Sequence, residues 1–391
     1  MNARTRSIVV LIYGFVLLGM PSATLGVAWP SMADSLSRGL GDLGMITIAI
    51  GVSYGLVSVA IGWITKRFPA GRLLVVATLG ATASLVVFAV ADAWWWYLIA
   101  AIPLGVAGGS IDAVGNAYVA VRHGPRAMGA IHAAFGFGAM LAPLFMTVLF
   151  SLGLSWRIGF VVLAVAELAL AGALWWVAGT IRLPMEGLKE APKRLGRKRL
   201  LGMSIWVFFI YAGVEGSTGL WAFTLLTEGQ GLSETVAGVA VAAHWAALFV
   251  SRLAIGVLGD RLPANRTLTL SVAGIAAGLW LIWWNPVAWV SVAGLIFAGF
   301  ANGPVFPFEV LLTARRFGEQ FTPWAVGYQL SAATFAIAIV PAVIGVLVNA
   351  RGPLVIAPIL AGLAVVMAAS VEGLRVMSQR DATLVASSGS R

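Results

Sequence analysis

Two stretches decide the fold: Gly62-Trp-Ile-Thr-Lys66-Arg67-Phe-Pro69-Ala-Gly-Arg72 and, 194 residues further on, Gly256-Val-Leu-Gly-Asp260-Arg261-Leu-Pro263-Ala-Asn-Arg266. They align without a gap. Each closes one apolar run, places charge at matching positions, turns at a proline and opens the next apolar run. The same offset pairs Gly105 with Gly299 and Gly109 with Gly303. A long repeat of apolar segments marks a chain made of two related halves that rock around a central site at mid-membrane depth.

Working outward from the two stretches, runs of about 20 apolar residues, enough to cross a hydrocarbon core of roughly 30 Å as helix, recur along the chain. They lie near residues 8–28, 43–65, 73–91, 96–121, 128–151 and 158–179, and again near 203–226, 235–258, 267–284, 288–313, 324–348 and 354–374. The 391 residues are 60% hydrophobic and 10% charged, against about a quarter charged in a soluble domain. One water-soluble core has too little interior to hide so much apolar surface. A cleavable signal peptide does not account for the first run, which is too long and is followed by eleven others. The expectation is an all-α membrane protein of twelve transmembrane helices in two pseudo-symmetric six-helix bundles. Residues 1–180 form the first bundle, 181–200 a cytoplasmic linker, and 201–391 the second bundle with a short C-terminal tail.

Net charge is +10, which in a soluble protein would point to nucleic acid. Position gives another reading. With both termini cytoplasmic, 21 of the 25 Lys and Arg fall on the inner side; Arg38, Arg157 and Arg351 lie outside and Arg252 lies within the eighth span. This is the positive-inside bias. It places a multi-pass protein in the cell (inner) membrane with no nucleic-acid partner. Seven inner charges, Arg182, Lys189, Lys193, Arg194, Arg197, Lys198 and Arg199, cluster with Pro184 and Pro192 in the linker. The chain has no cysteine, and His123, His132 and His244 are scattered, so neither disulfides nor a metal site nor any cofactor is expected. No catalytic triad or phosphate-binding glycine loop is present, and an enzyme is not expected.

The loop holding Gly256, Asp260 and Arg261 resembles the Gly-x-x-x-Asp-Arg signature loop of the major facilitator superfamily of transporters. The resemblance implies the fold of that superfamily. It also implies that Asp260 and Arg261 belong to the charge network that latches the cytoplasmic face when the carrier opens outward. In the first half Lys66 stands where the acid should be, and Arg67 reads either as a latch residue or as a positive-inside anchor. Within the superfamily the chain is similar to the fucose permease and glucose permease group. Gly109-Ser-Ile-Asp112-Ala-Val-Gly-Asn116-Ala-Tyr-Val resembles that group's Gly-x-Leu-Glu-Thr-x-x-Asn segment, with Asp112 in place of a proton-titrating glutamate. Tyr211-Ala-Gly-Val-Glu215, the run from Trp245 through Arg252 to Gly256, and Val305-Phe306-Pro307 extend the likeness. The first span lacks the acid that fucose permeases carry there. The resemblance implies proton-coupled symport of a small polar solute such as a sugar, by alternating access, in a monomer whose partners are solute, protons and the bilayer. A drug or metabolite efflux antiporter is the alternative. Such carriers usually show a Gly-Pro motif on span five, where this chain reads Gly138-Ala-Met-Leu-Ala142-Pro143.

A charge in hydrocarbon is costly, so ionisable residues inside spans usually face a protein interior and mark a pathway. A proton carrier needs a carboxylate held away from water whose charge can be relieved by a proton or by a donor on the cargo. Asp112 and Glu215, near the middle of spans four and seven, fit that need. Asp112 and Asn116 share a helix face one turn apart, as do Tyr211, Glu215 and Thr218 at i, i+4, i+7. Their plainer reading is helix packing through hydrogen bonds. His132 and His244 sit inside spans five and eight, either donating to a sugar hydroxyl or satisfied structurally. Trp245, beside His244, offers an aromatic face for a sugar ring, and Trp221 either lines the site or packs. Asn302 and Gln329 bring amides, which donate and accept together. Glu309 either marks the pathway with them or pairs with Arg315 near the inner surface, and Glu167 is expected to be a packing residue on peripheral span six. Trp94, Trp95, Trp96, Trp156, Trp283, Trp284 and Trp289 read as interfacial belt residues.

Overall fold

The computed structural model describes residues 3–123, 125–182, 198–258, 261–318 and 321–388. Its helices are α1 Ala3–Ser35, α2 Leu43–Arg67, α3 Ala70–Val90, α4 Trp94–Arg122, α5 Pro125–Ser151, α6 Trp156–Val177, α7 Lys198–Thr224, α8 Glu234–Leu258, α9 Ala264–Trp284, α10 Ala288–Asn302, α11 Val305–Phe317, α12 Thr322–Arg351 and α13 Ile356–Ser388. No strand occurs among the described residues. Twelve segments are long and apolar enough to cross a membrane, the count read from the sequence. Residues 183–197, which hold most of the expected linker, and Asp260 fall outside the described residues.

The tenth span is read from sequence as one helix, and the structure divides it into α10 and α11. Pro304 has no N–H to continue the ladder. Gly303 N–H turns back to the Phe300 carbonyl at 3.3 Å, and helix resumes with Phe308 N–H on the Pro304 carbonyl at 3.1 Å. The first span is longer than its apolar run, because α1 continues through Pro21 and Pro30 to Ser35.

Within the first half α1 packs on α5, α2 on α4, and α3 on α6; within the second α7 packs on α12, α8 on α10, and α9 on α10 and α13. Small residues set the closest approaches. A Cβ on Gly105 of α4 would run into the Ile50 carbonyl of α2, and one on Gly299 of α10 into the His244 carbonyl of α8. Ile50 and His244 are themselves 194 positions apart, so the repeat seen in sequence is also a repeat of helix contacts. Without a hydrophobic force between helices in lipid, such close backbone packing holds the bundles together.

The halves meet through α5 on α8, α2 on α12, and α1 on α7. These contacts are confined to part of the depth. Gly41, in a 3-10 turn at Leu40–Asp42, has its backbone against Gly345; Gly44 backs onto Ala342 and Gly51 onto Ala338. Asn349 clamps the same end: its Oδ1 accepts from Gly41 N–H at 2.7 Å and its Nδ2 donates to Asp42 Oδ1 at 2.7 Å. Toward the other end, Gly62 of α2 and Gly327 of α12 look onto open space. The α5–α8 seam follows suit, with Gly238 against Thr147, Gly136 against Phe249, and nothing near Gly129. The bundles are therefore joined at the end far from the termini and parted at the end that carries them.

Several tryptophans follow the belt expectation, among them Trp95, Trp96, Trp284 and Trp289, all exposed. Trp94 and Trp156 do not. Each is only 5% exposed, because Trp94 packs on Trp29 and Trp156 on Phe160.

Candidate functional site

Two polar clusters lie within the spans, one in each half. In the first, Tyr54 on α2 donates its hydroxyl to Asp112 Oδ2 at 2.6 Å. Asn116, one turn along α4, donates Nδ2 to Asp112 Oδ1 at 2.7 Å and to the Asp112 backbone carbonyl at 2.9 Å. Gly108 and Gly109 make this geometry possible. Side chains there would press on the Tyr54 ring and backbone, so their absence lets the tyrosine reach the carboxylate.

In the second cluster Arg252 of α8 donates Nη2 to Glu215 Oε1 of α7 at 3.1 Å and lies 3.5 Å from the Tyr211 hydroxyl. The side chains of Arg252 and Glu215 are 20% and 14% exposed, so the pair is neither sealed nor fully solvated. Arg252 Nε has no partner among the described residues. His132 of α5 connects the halves: its ring lies 6.0 Å from Phe15 and 6.2 Å from Phe306 of α11. Phe306 in turn meets Phe208 of α7 edge to face at 5.9 Å.

The remaining expected site residues fall into three settings. His244 uses Nδ1 on the Leu295 carbonyl at 2.8 Å, and its Nε2 is buried without a partner among the described residues, as are Trp245 Nε1 and Asn302 Oδ1. They share this condition with nine other buried side-chain atoms among the described residues, the Arg252 Nε included. Gln329 is instead spent within the second half, donating to Ser204 Oγ at 2.5 Å and Thr313 Oγ1 at 2.9 Å. Trp221 is fully buried, with Nε1 on the Pro341 carbonyl at 3.1 Å and its ring beside Gly345, which puts it behind the joined end. Of the expected latch, Arg67 lies over the ring of Trp63 at 4.1 Å, Arg261 is exposed, and Asp260 is outside the described residues.

One expected pairing is corrected. Glu309 bonds Arg316 at 2.6 Å, not Arg315, and both partners are almost fully buried. Seven residues bring a helix nearly back to the same face, whereas six leave the side chain about 120° away, and Arg315 is exposed. Glu167 is buried on α6, with Oε2 unpartnered. The sequence reading missed Tyr54 as the partner of Asp112 and Arg252 as that of Glu215. Arg252 had a signal, since a charge inside a span needs a counter-ion; the tyrosine had none.

The chain belongs to the Major Facilitator Superfamily, whose model matches residues 11–232 and again 203–375. It is thus a multi-pass membrane transporter and not an enzyme. A yeast relative, Bypass of stop codon protein 6 of Saccharomyces cerevisiae (strain ATCC 204508 / S288c), is 22% identical over 379 residues, covering 86% of this chain and 76% of that one. Among solved structures, a variant of the nucleoside transporter NupG superposes with a TM-score of 0.73 at 15% identity, over 95% of this chain and all of that one, 100%. A bacterial homologue of the human lysosomal transporter Spinster, inward-facing and occupied, gives 0.72 at 15% identity over 97% and 96%. The human organic anion transporter MFSD10 gives 0.70 at 16% over 95% and 100%. At these identities the likeness is one of fold.

Proposed function

We propose that this protein is a proton-coupled symporter of a small polar solute, with a hydroxyl-rich ring such as a sugar as the favoured class. Asp112 and Glu215 exchange protons, and the solute binds at the seam between the halves. The observation that carries the reading is the pairing of one carboxylate per half with groups that can let it go. Asp112 is held by two neutral donors, and Glu215 by a single arginine contact beside Tyr211. A proton on either acid weakens its bond to those partners and frees them for cargo, which is the differential interaction that coupling requires. The unpartnered Trp245 Nε1, His244 Nε2 and Asn302 Oδ1 supply one donor and two acceptors of the kind hydroxyls satisfy. Asn116, Tyr211 and His132 border them in this reading, Gln329 supports α7 and α11 from behind, and Trp221 backs the seam.

With both termini in the cytoplasm of an inner-membrane protein, the parted end faces inward. Arg67, Asp260 and Arg261 then form the latch that engages when the chain opens the other way. The fucose and glucose permease likeness supports the solute class. The nucleoside transporter among the structural neighbours adds ribosides, which carry the same ring hydroxyls, to the candidates.

Thermal stabilisation of the purified protein in detergent, screened over hexoses, pentoses and nucleosides, identifies the solute. Uptake of that solute into liposomes under an imposed pH gradient then tests coupling. Asp112→Asn and Glu215→Gln are expected to abolish accumulation while sparing counterflow. If both variants still accumulate solute, the proposed coupling is wrong; if the protein confers drug tolerance on cells and no pH-driven uptake is seen, the efflux reading replaces it.

A further inference from the structure

A second feature lies away from the seam, on the outer flank of the first half at the end that carries the termini. There a cleft of about 580 Å³ opens between the α2–α3 turn and the end of α6, lined among others by Thr65, Arg72, Trp175, Gly179 and Arg182. We propose that this cleft binds a phosphate group, and that the phosphate is the headgroup of an anionic phospholipid.

Among the described residues the cleft is basic. Its described lining includes two arginines and no carboxylate, and neither arginine has an acidic partner among the described residues. Arg182, an exposed residue of the lining, is tied by its Nε, which donates to the Gly179 carbonyl at 3.1 Å. An arginine fork fits two phosphate oxygens at once, with a charge that does not titrate away.

The backbone agrees in sign. The N-terminus of α3, a helix of 21 residues, has no side-chain cap. Leu73 N–H bonds the Pro69 carbonyl, and the N–H groups of the first turn before it have no such helix partner among the described residues, at an end where helices favour anions. At the end of α6 the Val177 carbonyl is engaged by Thr180 N–H and Oγ1, that of Trp175 by Ala178 N–H and that of Gly179 by Arg182, while the Ala178 carbonyl stands against Gly71. Gly71 brings the two helix ends together, because a Cβ there would overlap the Ala178 backbone.

Placement selects the lipid over a soluble phosphate. Trp175 and Trp176 are 73% and 64% exposed, as aromatic residues at a headgroup boundary are. Val161, Val165 and Leu168 of the same helix are also exposed, which gives acyl chains an apolar face leading away from the cleft. Basic pockets between helices on the cytoplasmic side are suited to phosphorylated headgroups.

The test uses the full-length protein in detergent and native mass spectrometry. Added dioleoyl phosphatidylglycerol is expected to remain bound where phosphatidylcholine does not, and the double variant Arg72→Gln with Arg182→Gln is expected to lose at least about fivefold of that retention. A charge-matched control, Arg122→Gln with Arg315→Gln, removes two exposed arginines from the same end and should retain the lipid. Monodisperse elution of each variant shows that it is folded, and Arg72→Lys with Arg182→Lys should restore part of the binding. Equal retention by wild type and the Arg72/Arg182 variant, or equal loss in the control, overturns the site. If inorganic phosphate displaces the lipid and binds alone with the same dependence on Arg72 and Arg182, the phosphate chemistry stands and the lipid as its source is overturned.

Discussion

Tyr54 shows how much one hydroxyl can decide. It is the only cross-helix donor to Asp112 among the described residues, and a hydrogen bond to a carboxylate contributes about 1.5–3 kcal/mol. Tyr54→Phe is expected to cut proton-driven uptake about tenfold or more, at about 1.4 kcal/mol per decade, while solute binding by thermal shift is little changed. The buried Glu309–Arg316 pair gives a contrasting case. Removing one partner strands the other charge, at a cost of about 3–5 kcal/mol, whereas replacing both by apolar residues costs less. Arg316→Met should therefore lower the unfolding temperature more than the double variant Glu309→Leu with Arg316→Met. A double variant as unstable as the single one would show that the pair acts through neighbours and not as an isolated charge.

At the level of helices, glycine position controls whether the polar groups meet. Gly109→Val would push α2 from α4, with an overpacking cost of about 1–3 kcal/mol, and draw Tyr54 away from Asp112. The expected result is loss of both stability and uptake. Gly172→Ala on α6, where nothing lies within reach of the new methyl, should be neutral or slightly stabilising by melting temperature. These helices were the most legible part of the sequence. Run length fixes a bilayer crossing because the hydrocarbon thickness is fixed, and the 194-residue offset carried over to the glycine contacts. The interruption at Gly303-Pro304 was less legible, since an apolar run contains no mark of where its backbone bonds fail. Asp112 and Asn116 could be paired from helical spacing alone, but Tyr54 and Arg252 reach their carboxylates from other helices. A one-dimensional reading holds no distance between spans. Trp94 and Trp156 went astray for the same reason: an interfacial position and a packed one look alike until the neighbouring helix is in place.

For the whole molecule, the uneven seam leads to a distance test. The chain has no cysteine, so introduced thiols are unique reporters. Asp42→Cys with Asn349→Cys should cross-link readily, and Gly62→Cys with Gly327→Cys should not, read as mobility of the linker-cleaved product on a gel. A solute-driven switch should reverse the ranking; efficient cross-linking at both pairs with no solute present would mean that the halves do not part. The joined end has one more implication. It is stitched from close packing at Gly41, Gly44 and Gly51 and from the Asn349 amide, which bonds both the Gly41 main chain and the Asp42 carboxylate, with no ion pair between the halves among the described residues. A seam without paired charges offers salt nothing to screen, so the balance between its joined and parted forms is expected to depend little on ionic strength.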